Sequence, residues 1–198
     1  MLNKRFPLLF LLALMISEPV LAHSPIEGLG NFYNGLLHPV MVPAHLLLLI
    51  VLGLLVGQKG IYQNRVAIMV VLISTGVGLI GAWYSVGGEI EIVLLSAAAM
   101  IGLLIALNNP LGNYFVSIMT AFVGLFIGID SAQDLLSGTV KLVYLIGCGV
   151  GATLTFLCSM VFADYFNKQS WQQIIVRVLG SWIAASALLV LALSFASS

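Results

Sequence analysis

Residues 38–57 read His38-Pro39-Val40-Met41-Val42-Pro43-Ala44-His45, followed by Leu46-Leu47-Leu48-Leu49-Ile50-Val51-Leu52-Gly53-Leu54-Leu55-Val56-Gly57. The stretch holds no Asp, Glu, Lys or Arg, and about 20 apolar residues are what a helix needs to cross the hydrocarbon core of a bilayer. It therefore reads as a membrane span. Its start is irregular, because Pro39 and Pro43 disfavour a regular helix and free backbone carbonyls. Residues 38–43 are accordingly expected to form a broken or re-entrant start to the span, a form in which transporters build ion sites. His38 and His45, seven residues apart, would share a face of a straight helix but lie about 10.5 Å apart along it. That is too far for both to hold one ion at ~2.0–2.1 Å; a break would shorten the distance. The other reading of the spacing is two histidines that cap a helix or bond a neighbouring span.

Five further apolar runs follow, at 66–86, 92–107, 114–129, 142–163 and 174–195, charge-free except for Arg177 in the last. With the first they give six spans, and backbone polar groups in lipid are satisfied only in helices or closed barrels. The fold class expected is an all-α polytopic membrane bundle of six transmembrane helices. The third and fourth runs have 16 residues each, about 24 Å at the helical rise, and would extend to Ile90 or Asn113 or lie under a thinned surface. Composition agrees: of 198 residues 61% are hydrophobic and 7% charged, with a mean hydropathy of +1.15, whereas a soluble domain carries about 25% charged residues. This excludes a soluble globular enzyme, a nucleic-acid binder with a basic surface and a disordered chain. The bilayer is the first partner.

Upstream, Lys4 and Arg5 precede an apolar run from Phe6 to Ile16, and Val20-Leu21-Ala22 offers a cleavage site. Residues 1–22 read as a signal peptide removed on export, the other reading being an uncleaved anchor. The mature domain would be 23–198, starting at His23 outside a bacterial inner membrane. From that start the cytoplasmic loops carry Lys59, Arg65 and Lys168, with Arg177 just inside the last span, and the opposite loops carry only Lys141. This is the positive-inside pattern, with both mature termini periplasmic.

The acidic residues are also asymmetric, since Glu27, Glu89, Glu91, Asp130 and Asp134 all fall on the periplasmic side. They either concentrate cations at one mouth or simply solvate the loops. Asp130 and Asp134 lie one turn apart if the fourth span continues through them. All three histidines, His23, His38 and His45, sit early in the mature chain. A terminal His23 could chelate a transition metal through its amine and imidazole, or be merely what cleavage leaves. The metal-ligand candidates are therefore His38, His45, His23 and Asp130, a set suited to a borderline divalent cation. The pairs Gly53/Gly57, Gly124/Gly128 and Gly147/Gly151 point to a compact bundle. Cys148 and Cys158, about 15 Å apart on one helix, cannot bond each other. There is no P-loop and no Ser/His/Asp or zinc-protease arrangement, so the chain reads as a non-enzyme with no permanently bound cofactor.

These residues resemble the HupE/UreJ hydrogenase and urease accessory proteins. The resemblance rests on His38-Pro39 and His45 ahead of a Leu-rich span, similar to the family motif H-P-x-x-G-x-D-H-x-x-x-M. Val42, Ala44 and Leu49 stand here for its Gly, Asp and Met. A second family stretch, H-G-x-A-H-G-x-E, finds its counterpart around Leu125–Asp130, where the Gly and the acid remain and the histidines are apolar. Arg177, Gly180 and Ala184-Ala185 follow a less specific pattern of the last span. The resemblance implies a six-span inner-membrane permease for nickel or cobalt, with a homo-oligomer or metalloenzyme-maturation partners compatible with it. The departures from the motifs admit an alternative, a non-transporting scaffold or accessory protein that keeps the fold without the metal site.

Overall fold

The structure, a computed structural model, describes residues 28–85, 90–108 and 111–197. The expected signal segment and His23 lie outside the described residues, as do Glu27 and Glu89. Seven helices and no strands occur among them: α1 (Asn31–Met41), α2 (Pro43–Gly57), α3 (Arg65–Trp83), α4 (Glu91–Ala106), α5 (Asn113–Asp130), α6 (Gly138–Tyr165) and α7 (Ser170–Ser197).

The first span is broken, as the prolines imply, but it begins earlier than residue 38. A helix forms from Asn31, and Pro39 is carried inside it. Pro39 contributes no amide to the bond that Gly35's carbonyl would otherwise accept. The break falls at Val42, which precedes Pro43 and is driven into extended backbone (φ −87°, ψ 112°) by the clash that a following proline ring creates. Pro43 then opens α2, where its missing N–H costs nothing. The two helices meet at a bend of 72°.

α3, α5, α6 and α7 are long and apolar enough to cross a membrane, and the bent α1–α2 pair makes a fifth candidate. The run expected at 92–107 forms α4, whose 16 residues span about 24 Å against a core of about 30 Å. It is an apolar helix short of a full crossing. The fourth run gains Asn113 and Asp130 and reaches 18 residues.

α2 is the centre of the bundle. It is buried around nearly its whole circumference, from Ala44 and His45 to Val56 and Gly57, as expected for a helix apolar on every side. α6, with 28 residues, is long enough to flank α1 with its first half and α2 with its second. Large apolar side chains such as Ile73, Ile80, Trp182 and Leu189 point outward, an arrangement that suits lipid rather than water.

Glycine lets the backbones approach, and all three glycine pairs singled out in the sequence fall on helix–helix seams. A Cβ at Gly53 would lie 2.7 Å from Phe156's carbonyl oxygen, and one at Gly128 2.6 Å from Thr75's. Gly147 and Gly151 abut the α1 backbone at Phe32 and Leu36. A fourth seam joins α4 to α7, where Gly102 meets Gly180 and Ala184.

The charges sort by end. Loops 58–64 and 166–169 and the C-terminus of α4 gather at one end, tied by Asn167 to Gln58's carbonyl, by Ile61's amide to Asp164 and by Arg177 to Ala106's carbonyl. That end carries Lys59, Arg65 and Lys168. Lys141 and Asp130 lie at the other.

Candidate metal site

His38 sits in the last turn of α1 and His45 in the first turn of α2. On a straight helix they would be about 10.5 Å apart; the bend at Val42 folds one towards the other. Their ring centres are 5.3 Å apart, with the planes at 76°. Both side chains are buried, His45 completely.

Asp130 is the last residue of α5, where the helix dipole disfavours a negative charge. What holds it there is His45: Nε2 lies 2.8 Å from Asp130 Oδ2. With Nε2–H donating to the carboxylate, the lone pair of the ring falls on Nδ1. That atom is buried and, among the described residues, has no hydrogen-bond partner, although a buried polar group normally has one. The carboxylate therefore stands behind His45 and fixes its tautomer and orientation, the relation that carboxylates hold to metal-ligating histidines. Asp130 keeps 16% of its side chain exposed, so the pair is near the surface of its end of the bundle.

An ion at ~2.0–2.1 Å from one nitrogen of each ring would sit about 3.2 Å from either ring centre, placing the centres about 5.2 Å apart at a tetrahedral angle. The observed 5.3 Å is compatible with two imidazoles sharing an ion. Among the described residues, however, no group of three or more His, Cys, Asp or Glu side chains is arranged to hold one. The donor set at hand is two imidazoles, one of them backed by a carboxylate.

α6 supplies the remaining wall. Tyr144 packs its ring edge-on to His38, centres 5.8 Å apart, and its hydroxyl lies beside Cys148 and Gln133. Cys148, free and buried, also neighbours Ser131. Sequence reasoning missed Tyr144, Gln133 and Ser131, and considered Cys148 only for a disulfide. One signal was present: Tyr144 and Cys148 are four apart beside Gly147 and Gly151, on the face that α6 turns to α1.

Of the sequence candidates, His38, His45 and Asp130 converge, and His23 lies outside the described residues. Asp134 does not join them. α5 ends at Asp130, so the helix that would have set Asp134 one turn above on the same face is absent, and Asp134 is exposed. Glu91 is exposed in the first turn of α4.

The family model described as HupE / UreJ protein matches residues 11–190. The chain belongs to the HupE/UreJ family. No curated protein and no solved structure matches it. Within this HupE/UreJ chain the motif positions acquire places. Val42, where the motif has Gly, is the break itself. Ala44, where the motif has Asp, is completely buried next to His45, and the carboxylate on His45 comes from Asp130 of α5. Arg177, Gly180 and Ala184 of the last helix serve packing: Arg177 donates to Ala106's carbonyl, and Gly180 and Ala184 seat against Gly102.

Proposed function

We propose that this HupE/UreJ protein is an inner-membrane permease that moves a divalent transition-metal cation, nickel or cobalt, from periplasm to cytoplasm. It works as six spans after a cleaved signal peptide, with α4 completing the sixth crossing beneath a thinned surface. The observation that carries this reading is His45: fully buried, held by Asp130 through Nε2, with Nδ1 unpartnered among the described residues and the His38 ring against it. A buried imidazole with one nitrogen committed and the other open is prepared for a metal more than for a second hydrogen bond. Neutral imidazoles suit nickel and cobalt.

In this mechanism the acidic end, with Asp130, Asp134 and Glu91, gathers the cation, and His23 acts as an outer capture ligand. His38 and His45 take the ion at the break of the first span, and Asp130 keeps the His45 ring in register. The half-helix α1, broken from α2 at Val42 and seated on α6, is the element that changes its angle to α2 in this mechanism, while α2 stays fixed in the core. With no ATP-binding motif in the sequence, the drive comes from the membrane potential, about 2.3 kcal/mol per charge per 100 mV and twice that for a divalent ion, or from an external partner.

A second reading, a family scaffold without transport, is favoured by the lack of a three-donor group among the described residues. One experiment separates the two. Cells expressing the wild type or the His38→Ala/His45→Ala double variant are assayed for accumulation of Ni, Co, Zn, Cu and Fe, with membrane insertion of both checked. Loss of one metal in the variant supports the permease and names its substrate. Equal accumulation of every metal by the two proteins refutes it in favour of the scaffold.

A further inference from the structure

We propose that the cleft between α3 and α6, at the end of the bundle that carries Asp130, binds one anionic phospholipid. Its phosphate lies beside Lys141 and Ser85, and an acyl chain lies in the groove that continues from them. This site is independent of the metal reading and needs only that the bundle sits in a bilayer.

Lys141 is the first observation. It is in the first turn of α6 and only 6% exposed, where a lysine is seldom found without an anion. Its ammonium donates to Ser85 Oγ at 3.1 Å, just past the end of α3. An ammonium has three protons to donate, and among the described residues no carboxylate lies within 4 Å of it; the ion pair present there is His45–Asp130. The N-terminus of α6 adds to the same sign. It has no acidic residue in its first turn and no side-chain cap from Ser137, so the positive end of the helix dipole is also left without a counter-charge. A buried cation is costly unless it is paired, and a phosphate would satisfy both.

The groove is the second observation. Lys141 and Ser85 bridge α3 and α6, and directly along the same two helices runs a cavity of about 260 Å³ lined by Leu79, Trp83, Tyr84, Leu142, Leu145 and Ile146. Its wall is apolar, and it has an aromatic pair, Trp83 and Tyr84, at the end nearest Ser85. Trp and Tyr are the residues that sit at the headgroup level of a membrane. Like the grooves between α4 and α5 and between α2, α6 and α7, this one has no charged side chain in its own lining, but Lys141 and Ser85 stand at its end, next in the chain to the lining residues Leu142 and Tyr84. The combination of a buried cation at the mouth and an apolar slot beneath it fits a phospholipid, with its charge at one end and hydrocarbon at the other.

The test uses the full chain in detergent, titrated with phosphatidylglycerol or phosphatidylethanolamine of identical acyl chains and read by native mass spectrometry. The wild type should retain one phosphatidylglycerol with a preference of about fivefold, the contribution of a single lysine at a charged membrane surface. Lys141→Gln should abolish the preference, Lys141→Arg should keep it, and Leu145→Trp, which fills the slot, should weaken both lipids. Thermal unfolding of each variant reports whether it folds. If Lys141→Gln does not, the wild-type preference and the Leu145→Trp loss decide. The proposal is overturned if the wild type takes both lipids equally, if Lys141→Gln keeps the preference, or if Leu145→Trp changes nothing. Displacement of the lipid by millimolar inorganic phosphate would assign the cation to free phosphate. A dimer lost on Leu145→Trp would assign the groove to a second copy of the chain. Either result overturns it.

Discussion

Gly35→Ala should separate the two histidines without touching either. Gly35 lies on the face of α1 that meets α6, one turn before His38. A Cβ built there would stand 2.9 Å from the carbonyl carbon of Tyr144 and 3.1 Å from the amide nitrogen of Cys148, with Tyr144's carbonyl oxygen nearer still. These neighbours are backbone in the middle of a helix and cannot rotate away. Ordinary contact begins near 3.4 Å, so α1 must retreat from α6 by at least about 0.5 Å, and by more to clear the oxygen. Overpacking of this kind costs ~1–3 kcal/mol. Because α1 breaks from α2 at Val42, a retreat of α1 from α6 carries His38 with it. The ring separation of 5.3 Å widens while His45, on the fixed helix, stays with Asp130. A control is available in Gly76, which lies on the exposed face of α3 with nothing within 4 Å of its virtual Cβ. Alanine there should be neutral or stabilising by roughly 0.5–1 kcal/mol, since glycine is the poorer helix former. The assay is thermal unfolding of both variants in the same detergent, paired with metal accumulation in cells. Gly35→Ala should lower both readings and Gly76→Ala neither. If Gly35→Ala unfolds with the wild type and accumulates metal as the wild type does, the close seam does not position His38 and the reasoning fails.

Two further outcomes follow from the same geometry. Asp130→Asn keeps the size of the side chain and removes the charge that fixes the His45 tautomer; metal affinity, read by titration of the purified protein, should fall ~10–100-fold, the usual effect of losing such a partner. Asp134→Asn, at an exposed turn beyond the helix, should leave it unchanged, and a comparable loss from both would show that bulk negative charge matters instead of the His45 contact. A reporter fused after Ser198 should be active only in its periplasmic form, as the basic end formed by Lys59, Arg65 and Lys168 stays inside; cytoplasmic activity would overturn the proposed orientation.

The membrane class and the helical architecture are legible from residues taken one at a time. Charge-free runs near the length of a bilayer admit few other structures, since hydrocarbon offers no partner to an unpaired backbone amide. The break in the first span is legible too, because Pro43 acts on its own neighbour, Val42, through local sterics. The glycine pairs announce close packing for a similar local reason: a missing side chain leaves room for a backbone. The earlier start of α1 at Asn31 was less legible, because Pro39 lies within it and local signals argued against a helix there; packing of Gly35 on α6 outweighs them.

The site itself depends on distance in space. The spacing of His38 and His45 gave two incompatible answers, and only the 72° bend decided between a separation of about 10.5 Å along a straight axis and rings in contact. Asp130, 85 residues from His45, and Tyr144 on α6 have no local signature that ties them to the histidines. Nor does Lys141, whose burial against Ser85 is invisible in its place between two spans. Sequence by itself determined that this chain is a bundle of apolar helices with a broken first span, because span length, proline sterics and missing side chains are local properties. Tertiary structure alone decided which ionisable groups meet. In a helical bundle the neighbours of a side chain are set by which helices pack and at what angle, and that outcome belongs to all the seams together.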